Sequence, residues 1–176
     1  MNVIKFNKYK IYGGYHWRWY GKRHIYTKHV NFLKRWVKEK DIIDIGAGDG
    51  LITNLLGIKG IEINPWGIRA ARRKNVIIDE GSVYNLPYKN KQFECALLSD
   101  TVEHFEDVNK ALKEIRRVIK KYLYVNIPYN EKFIEPDHYN SWTAEQFIID
   151  VSKNGFILEG QSIFKNRRYY FKFKKV

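Results

Sequence analysis

Three glycines at alternate positions, Gly46, Gly48 and Gly50, follow the apolar run Ile42-Ile43-Asp44-Ile45, with Asp44 just before the turn and Asp49 inside it. Glycine accepts dihedrals and close contacts that a Cβ forbids, so such a turn lets a ligand lie against the backbone. Twelve residues after Gly50, Glu62 stands in a second apolar run, Ile58 to Ile63. A strand, a glycine turn, a helix and a second strand ending in an acid make a nucleoside site, in which the acid takes the ribose hydroxyls. Charge narrows the ligand. A pyrophosphate over this turn would be repelled by Asp44 and Asp49, and Leu51 stands where dinucleotide spacing puts a third glycine or alanine. A nucleoside carrying positive charge suits these carboxylates.

From about residue 41 to the carboxyl terminus the chain resembles the class I, Rossmann-like, seven-strand S-adenosylmethionine-dependent methyltransferases, of the small generic type. The resemblance implies S-adenosyl-L-methionine as cofactor and S-adenosyl-L-homocysteine as product. It implies that Asp44 lies near the methionine amino group and that Gly46-Ala47-Gly48-Asp49-Gly50 forms the wall beneath it. It also has Glu62 bind both ribose hydroxyls and Ile63 pack on the adenine. Gly81-Ser82-Val83-Tyr84-Asn85-Leu86-Pro87-Tyr88 is similar to the family's adenine-contacting segment, which places Ser82 and Val83 there. Ser82 replaces an aspartate, and a hydroxyl accepts less strongly than a carboxylate.

The stretch Phe93 to Phe105 resembles the strand that ends in the family's leu-glu-his-leu segment. Its carboxyl end faces the reaction in that architecture, which puts Ser99 beside the cofactor. Asp100 and His104 become the candidates for contacting the acceptor or taking its proton. For His104 a helix-capping or packing role stands as the alternative. Asn126-Ile127-Pro128-Tyr129 looks like the asparagine-proline-proline-tyrosine box of amino-methylating nucleic-acid enzymes, but it follows the fifth strand rather than the fourth. It reads as the valine-proline of smaller methyltransferases, with Pro128 at the acceptor pocket. Pro136 to Thr143 resembles a loop of small-substrate methyltransferases and offers His138 and Trp142 to the same pocket; a solvated loop role is open for His138.

The elements that must position these residues follow from periodicity. Residues 22–39 read as an amphipathic helix with Ile25, His29, Phe32, Leu33 and Trp36 at helical spacing. Strands are expected at 41–45, 58–63, 76–78, 93–98, 122–127, 156–163 and 168–174. Helices are expected at 51–56, from Asn64-Pro65 to Lys74, and after Asp107 with Val108, Ala111, Leu112, Ile115, Val118 and Ile119 on one face. A last helix opens on the capping box Thr143-Ala144-Glu145-Gln146 and ends near Asn154-Gly155. The final strands are joined by a short turn at Lys165-Asn166, making one strand antiparallel. The fold class is α/β: one three-layer α/β/α Rossmann-like domain over 1–176, a mostly parallel seven-strand sheet, with 1–40 as amino-terminal lid and helix and 41–176 as core.

The lid segment Tyr12 to His24 interleaves aromatic and basic residues after an irregular start, and Tyr15, His16, Trp17 and Tyr20 are candidates to cover the acceptor. Charge is uneven: net +10 over residues 1–40, −3 over 41–150 and +6 over 151–176. Basic ends and stacked rings suit a nucleic-acid acceptor; a hydrophobic lid with basic edges suits a small one. A cofactor-binding regulatory subunit without catalysis is the third reading. The single Cys95 excludes an internal disulfide and fits a reducing, cytoplasmic setting. No stretch has the length and apolarity of a membrane span, and Met1 to Lys8 has no signal-peptide apolar region. Five histidines and one cysteine show no metal-ligand spacing, so no metal is expected.

Overall fold

The computed structural model describes residues 8–129, 137–165 and 167–176 of the chain; residues 1–7, 130–136 and 166 fall outside them, among them Pro136 and Asn166 of the loop and turn expected from sequence. A seven-strand sheet runs through the centre in the order β3-β2-β1-β4-β5-β7-β6. Its strands are β1 (Ile42–Ile45), β2 (Lys59–Glu62), β3 (Asp79–Glu80), β4 (Phe93–Ser99), β5 (Ile119–Pro128), β6 (Phe156–Phe164) and β7 (Arg168–Lys175). β1 pairs in parallel with both β2 and β4, and β4 with β5. β7 is antiparallel to both β5 and β6, so it is the single reversed strand.

Alternation along the strands divides the core. Ile43, Ile45, Ala96 and Leu98 pack with α6 (Val108–Val118) and α7 (Ala144–Ser152). Ile42, Cys95 and Leu97 point to the opposite face, against Leu33 of α3 (His24–Trp36) and Leu56 of α4 (Leu51–Leu56). The caps expected from sequence are present. Asn64 accepts from the Trp66 amide at 3.0 Å beside Pro65, opening α5 (Pro65–Arg72). Asp107 accepts from Lys110 at 2.9 Å, and Thr143 and Gln146 form the reciprocal capping box.

Three elements differ from expectation. The third strand is Asp79–Glu80 rather than 76–78. Ile61 and Glu62 of β2 register with Asp79 and Glu80, while Val76 and Ile78 turn down onto Ala71 beneath the glycine turn. Ile119 does not extend α6; its backbone is extended (φ −102°, ψ 156°), and the helix runs directly into β5. The irregular start contains two short helices, α1 (Lys8–Tyr12) and α2 (Tyr15–Trp19). Among the described residues no helix is long and apolar enough to cross a membrane.

Candidate active site

β1 and β4 are neighbours from which the sheet order runs outward in opposite directions, and a ligand crevice forms at the carboxyl ends of strands at such a switch point. A cavity of about 450 Å³ lies there, lined by Asp44, Gly46, Ala47, Asp49, Glu62 and Ile63 from the β1 and β2 ends. Val83, Ser99, Asp100 and His104 close it on the other side. The volume is in the range of small-molecule and cofactor sites.

The glycine turn is held open by contacts that forbid side chains. Gly46 has φ +78°, and a Cβ there would meet Thr101 Cγ2 at 2.3 Å. Gly48 has φ +58°, and a Cβ would meet the Tyr9 hydroxyl oxygen at 2.0 Å. Glu62 is buried and accepts three backbone amides: Gly48 at 2.7 Å, Ile63 at 2.8 Å and Asn64 at 2.8 Å. Burial pushes its carboxyl up while those amides pull it down. Asp44 accepts the Thr53 hydroxyl at 2.6 Å, and burial pushes its carboxyl up to about 7. An acidic floor, bare backbone at Gly46 and the apolar Ile63 and Val83 fit a cationic nucleoside such as S-adenosylmethionine.

The amino-terminal segment docks on the turn through Asp49. The carboxylate accepts the His16 amide at 2.7 Å and lies 3.1 Å from His16 Nδ1, while the Asp49 carbonyl accepts the Trp17 indole at 2.8 Å. Asp49 lines the cavity, but its carboxylate is engaged by the lid.

Asp100 is not placed as a proton acceptor. Its carboxylate takes two oxygens' worth of Arg168 guanidinium at 2.7 to 2.9 Å and the Asn126 amide at 2.6 Å. Despite burial, the Arg168 guanidinium holds its carboxyl down at about 2, so it stays ionised and weakly basic. The sequence reading missed Arg168, which the β7 pairing delivers opposite Pro128. Beneath Asp100, buried His29 contacts the Tyr170 hydroxyl, and burial lowers its ring to about 3. His104 Nδ1 lies 2.8 Å from the Asp137 carbonyl; a carbonyl only accepts, so Nδ1 carries the proton and Nε2 the lone pair. Burial lowers the His104 ring from its usual value, leaving it neutral near pH 7.

The cavity also gathers Tyr15, His16, Pro128 and His138. It does not gather Gly48, Gly50, Ser82, Trp17, Tyr20 or Trp142. Gly50 is covered by Val76, Ala71 and Ile78, and the Ser82 hydroxyl accepts from the Tyr84 amide at 3.2 Å. Trp142 lies edge-on to Phe147 at 5.2 Å and donates to Asp150, so its place is in the core beside α7. Although the chain shows no ligand spacing along its length, Glu103, His104 and His138 each bring one ligand-capable atom within 4.8 Å of the other two. The adjacent Glu103-His104 pair was the available signal; His138 arrives from a separate loop.

Residues 43–124 match the family described as methyltransferase domain. Norajmaline N-methyltransferase of Rauvolfia serpentina is 30% identical over 122 residues, covering 57% of this chain and 42% of that protein. A demethylmenaquinone methyltransferase of Corynebacterium kroppenstedtii is 31% identical over 84 residues, covering 45% of this chain and 37% of that protein. The chain thus spans less than half the length of these two curated relatives. A Thermotoga maritima structure described as an S-adenosylmethionine-dependent methyltransferase, possible histamine N-methyltransferase, superposes with TM-score 0.81 at 22% identity, covering 98% of this chain and 100% of that one. At that identity the superposition establishes the shared fold.

Proposed function

We propose that this chain is a class I S-adenosylmethionine-dependent methyltransferase that methylates an oxygen or nitrogen of a small-molecule acceptor, a reading supported by the match of residues 43–124 and by the shared fold. The observation that carries the reading is the convergence, in one cavity, of Glu62, the Gly46 turn and His104. When bound, the cofactor supplies an electrophilic sulfonium methyl group.

The chain's own residues bind, orient and exclude water. Glu62 Oε2 takes a ribose hydroxyl, Ile63 and Val83 flank the adenine, and Asp44 faces the ammonium end. Catalysis in such a site is chiefly positioning, with reacting atoms held about 3 to 3.5 Å apart. His104 Nε2 is the group presented to an acceptor proton, because Asp137 fixes Nδ1 as the donor. Asp100, locked on Arg168, shapes the field and orients the β4 end rather than moving a proton.

Charge favours a small acceptor. The lining carries the acids Asp44, Asp49, Glu62, Asp100, Glu103 and Asp137 against the cations Lys8, Arg23, Arg167 and Arg168. Arg168 is already paired with Asp100. A polyanion entering this cavity meets an excess of carboxylates. Methyl-labelled cofactor incubated with fractionated cell extract tests the reading. Label in small filterable molecules supports it; label in a nuclease-sensitive fraction overturns it in favour of nucleic acid.

A further inference from the structure

We propose that Glu103, His104 and His138 bind a divalent first-row transition cation, zinc by ligand chemistry, at the acceptor side of the cavity. The inference rests on the methyltransferase reading for its purpose and on geometry for its existence. One carboxylate and two imidazoles form the donor set, with one ligand atom from each within 4.8 Å of the other two. Imidazole suits zinc and its neighbours, whereas magnesium and calcium take oxygen ligands. Ligand bonds of about 2.0 to 2.2 Å put tetrahedral donors about 3.3 to 3.5 Å apart. The three side chains therefore close by roughly 1.5 Å, a displacement that χ rotation supplies.

The surroundings are built for this. Metal-bound histidine donates its second ring N–H to a carbonyl or carboxylate, which fixes the tautomer. His104 does so through Nδ1 to the Asp137 carbonyl at 2.8 Å. The loop carrying His138 is tied to the same turn: the Glu103 carbonyl accepts the Tyr139 and Asn140 amides at 2.8 and 3.1 Å. Asn140 Nδ2 also donates to the Phe105 carbonyl at 2.6 Å. The two imidazoles meet edge-on with centroids 4.8 Å apart. Glu103 is only 1% exposed, and a cation beside it offsets the desolvation of its charge.

Three protein ligands leave coordination positions facing the cavity, the arrangement of catalytic rather than structural zinc. The acceptor this favours is a hydroxyl. Its oxygen coordinates the cation and releases its proton to solvent at neutral pH. The new O–C bond then forms as the S–C bond breaks, and the sulfonium becomes a neutral thioether. With the cation present, His104 Nε2 serves as ligand, and coordination replaces proton abstraction by the imidazole.

The test uses chelator-stripped full-length protein titrated with Co²⁺, read by visible absorption, with Zn²⁺ as competitor and S-adenosylhomocysteine calorimetry on the same samples. One equivalent of Co²⁺, displaced by Zn²⁺ and untouched by Mg²⁺, supports the site. Removal of an outer partner of a metal ligand costs 10- to 100-fold, so His138→Ala and His104→Ala should each weaken Co²⁺ binding by at least about 100-fold. His138 is half-buried on a loop, so its variant separates ligation from folding. No stoichiometric Co²⁺, or equal binding by His138→Ala, overturns the proposal. Absent S-adenosylhomocysteine binding with the Co²⁺ site intact overturns the methyltransferase reading instead.

Discussion

The Glu62 carboxylate accepts the Gly48 amide across 2.7 Å, so the acid expected to hold the ribose also fastens the glycine turn to β2. Oε1 takes the Ile63 and Asn64 amides and Oε2 the Gly48 amide. A carboxylate offers about four acceptor sites, which leaves about one for the ligand. Glu62→Gln puts an amide NH₂ against at least one of these backbone donors. It should lower stability by about 1 to 3 kcal/mol, read as a fall in urea midpoint at unchanged slope.

Asp44 should make both stability and cofactor affinity pH-dependent. Burial raises its folded value from 3.8 to about 7. The group's contribution to stability is therefore complete below 3.8 and is lost as pH rises through about 7. A cationic ligand prefers the ionised acid, so affinity should strengthen as pH climbs to about 7 and level off above it, with proton release on binding. Asp44→Asn should flatten the profile. Equal affinities for the unsubstituted protein at about pH 6 and about pH 8 contradict this assignment.

His16 should hold the lid. Its amide and ring both meet Asp49, and Trp17 follows it onto the Asp49 carbonyl. His16→Ala should loosen residues 8–23 by about 1 kcal/mol. Faster proteolysis there, together with a shift in Trp17 fluorescence, is the expected signature.

Asp100 and Arg168 should behave as a unit. Their side chains are 30% and 23% exposed, so breaking the pair should cost about 2 to 3 kcal/mol, less than the 3 to 5 of full burial. Asp100→Asn leaves the guanidinium uncompensated, and Asp100→Asn with Arg168→Leu should recover part of the loss. Denaturation across the double-mutant cycle measures the coupling.

His104→Ala should slow turnover by about 10²-fold or more, the range of a positioned proton acceptor, while S-adenosylhomocysteine affinity stays within twofold by about the same calorimetric criterion. Equal turnover removes His104 from the mechanism.

Most of the frame was legible in the chain because local signals and fold agreed. The glycine turn, the Asn64-Pro65 and Asp107 caps and the Thr143 capping box encode themselves within a few residues. Strand β3 was misplaced because Val76-Ile77-Ile78 has strand composition, yet pairing with β2 is decided by register two residues on. The Asp100–Arg168 pair was hidden because β7 brings Arg168 to the site only after the sheet is assembled. Trp142 lies in a motif-like loop, but its ring finds Phe147 and Asp150 rather than the cavity. The Glu103–His104–His138 cluster depends on backbone ties between a turn and a distant loop, which spacing does not reveal.

Calorimetric titration of S-adenosylhomocysteine into the unsubstituted protein and into Glu62→Ala tests the central claim most directly. The account predicts one site, with the variant weakened by about 1.5 to 3 kcal/mol, roughly 10- to 150-fold, for one lost charge-assisted hydrogen bond. No binding to the unsubstituted protein, or the same affinity in both, contradicts it.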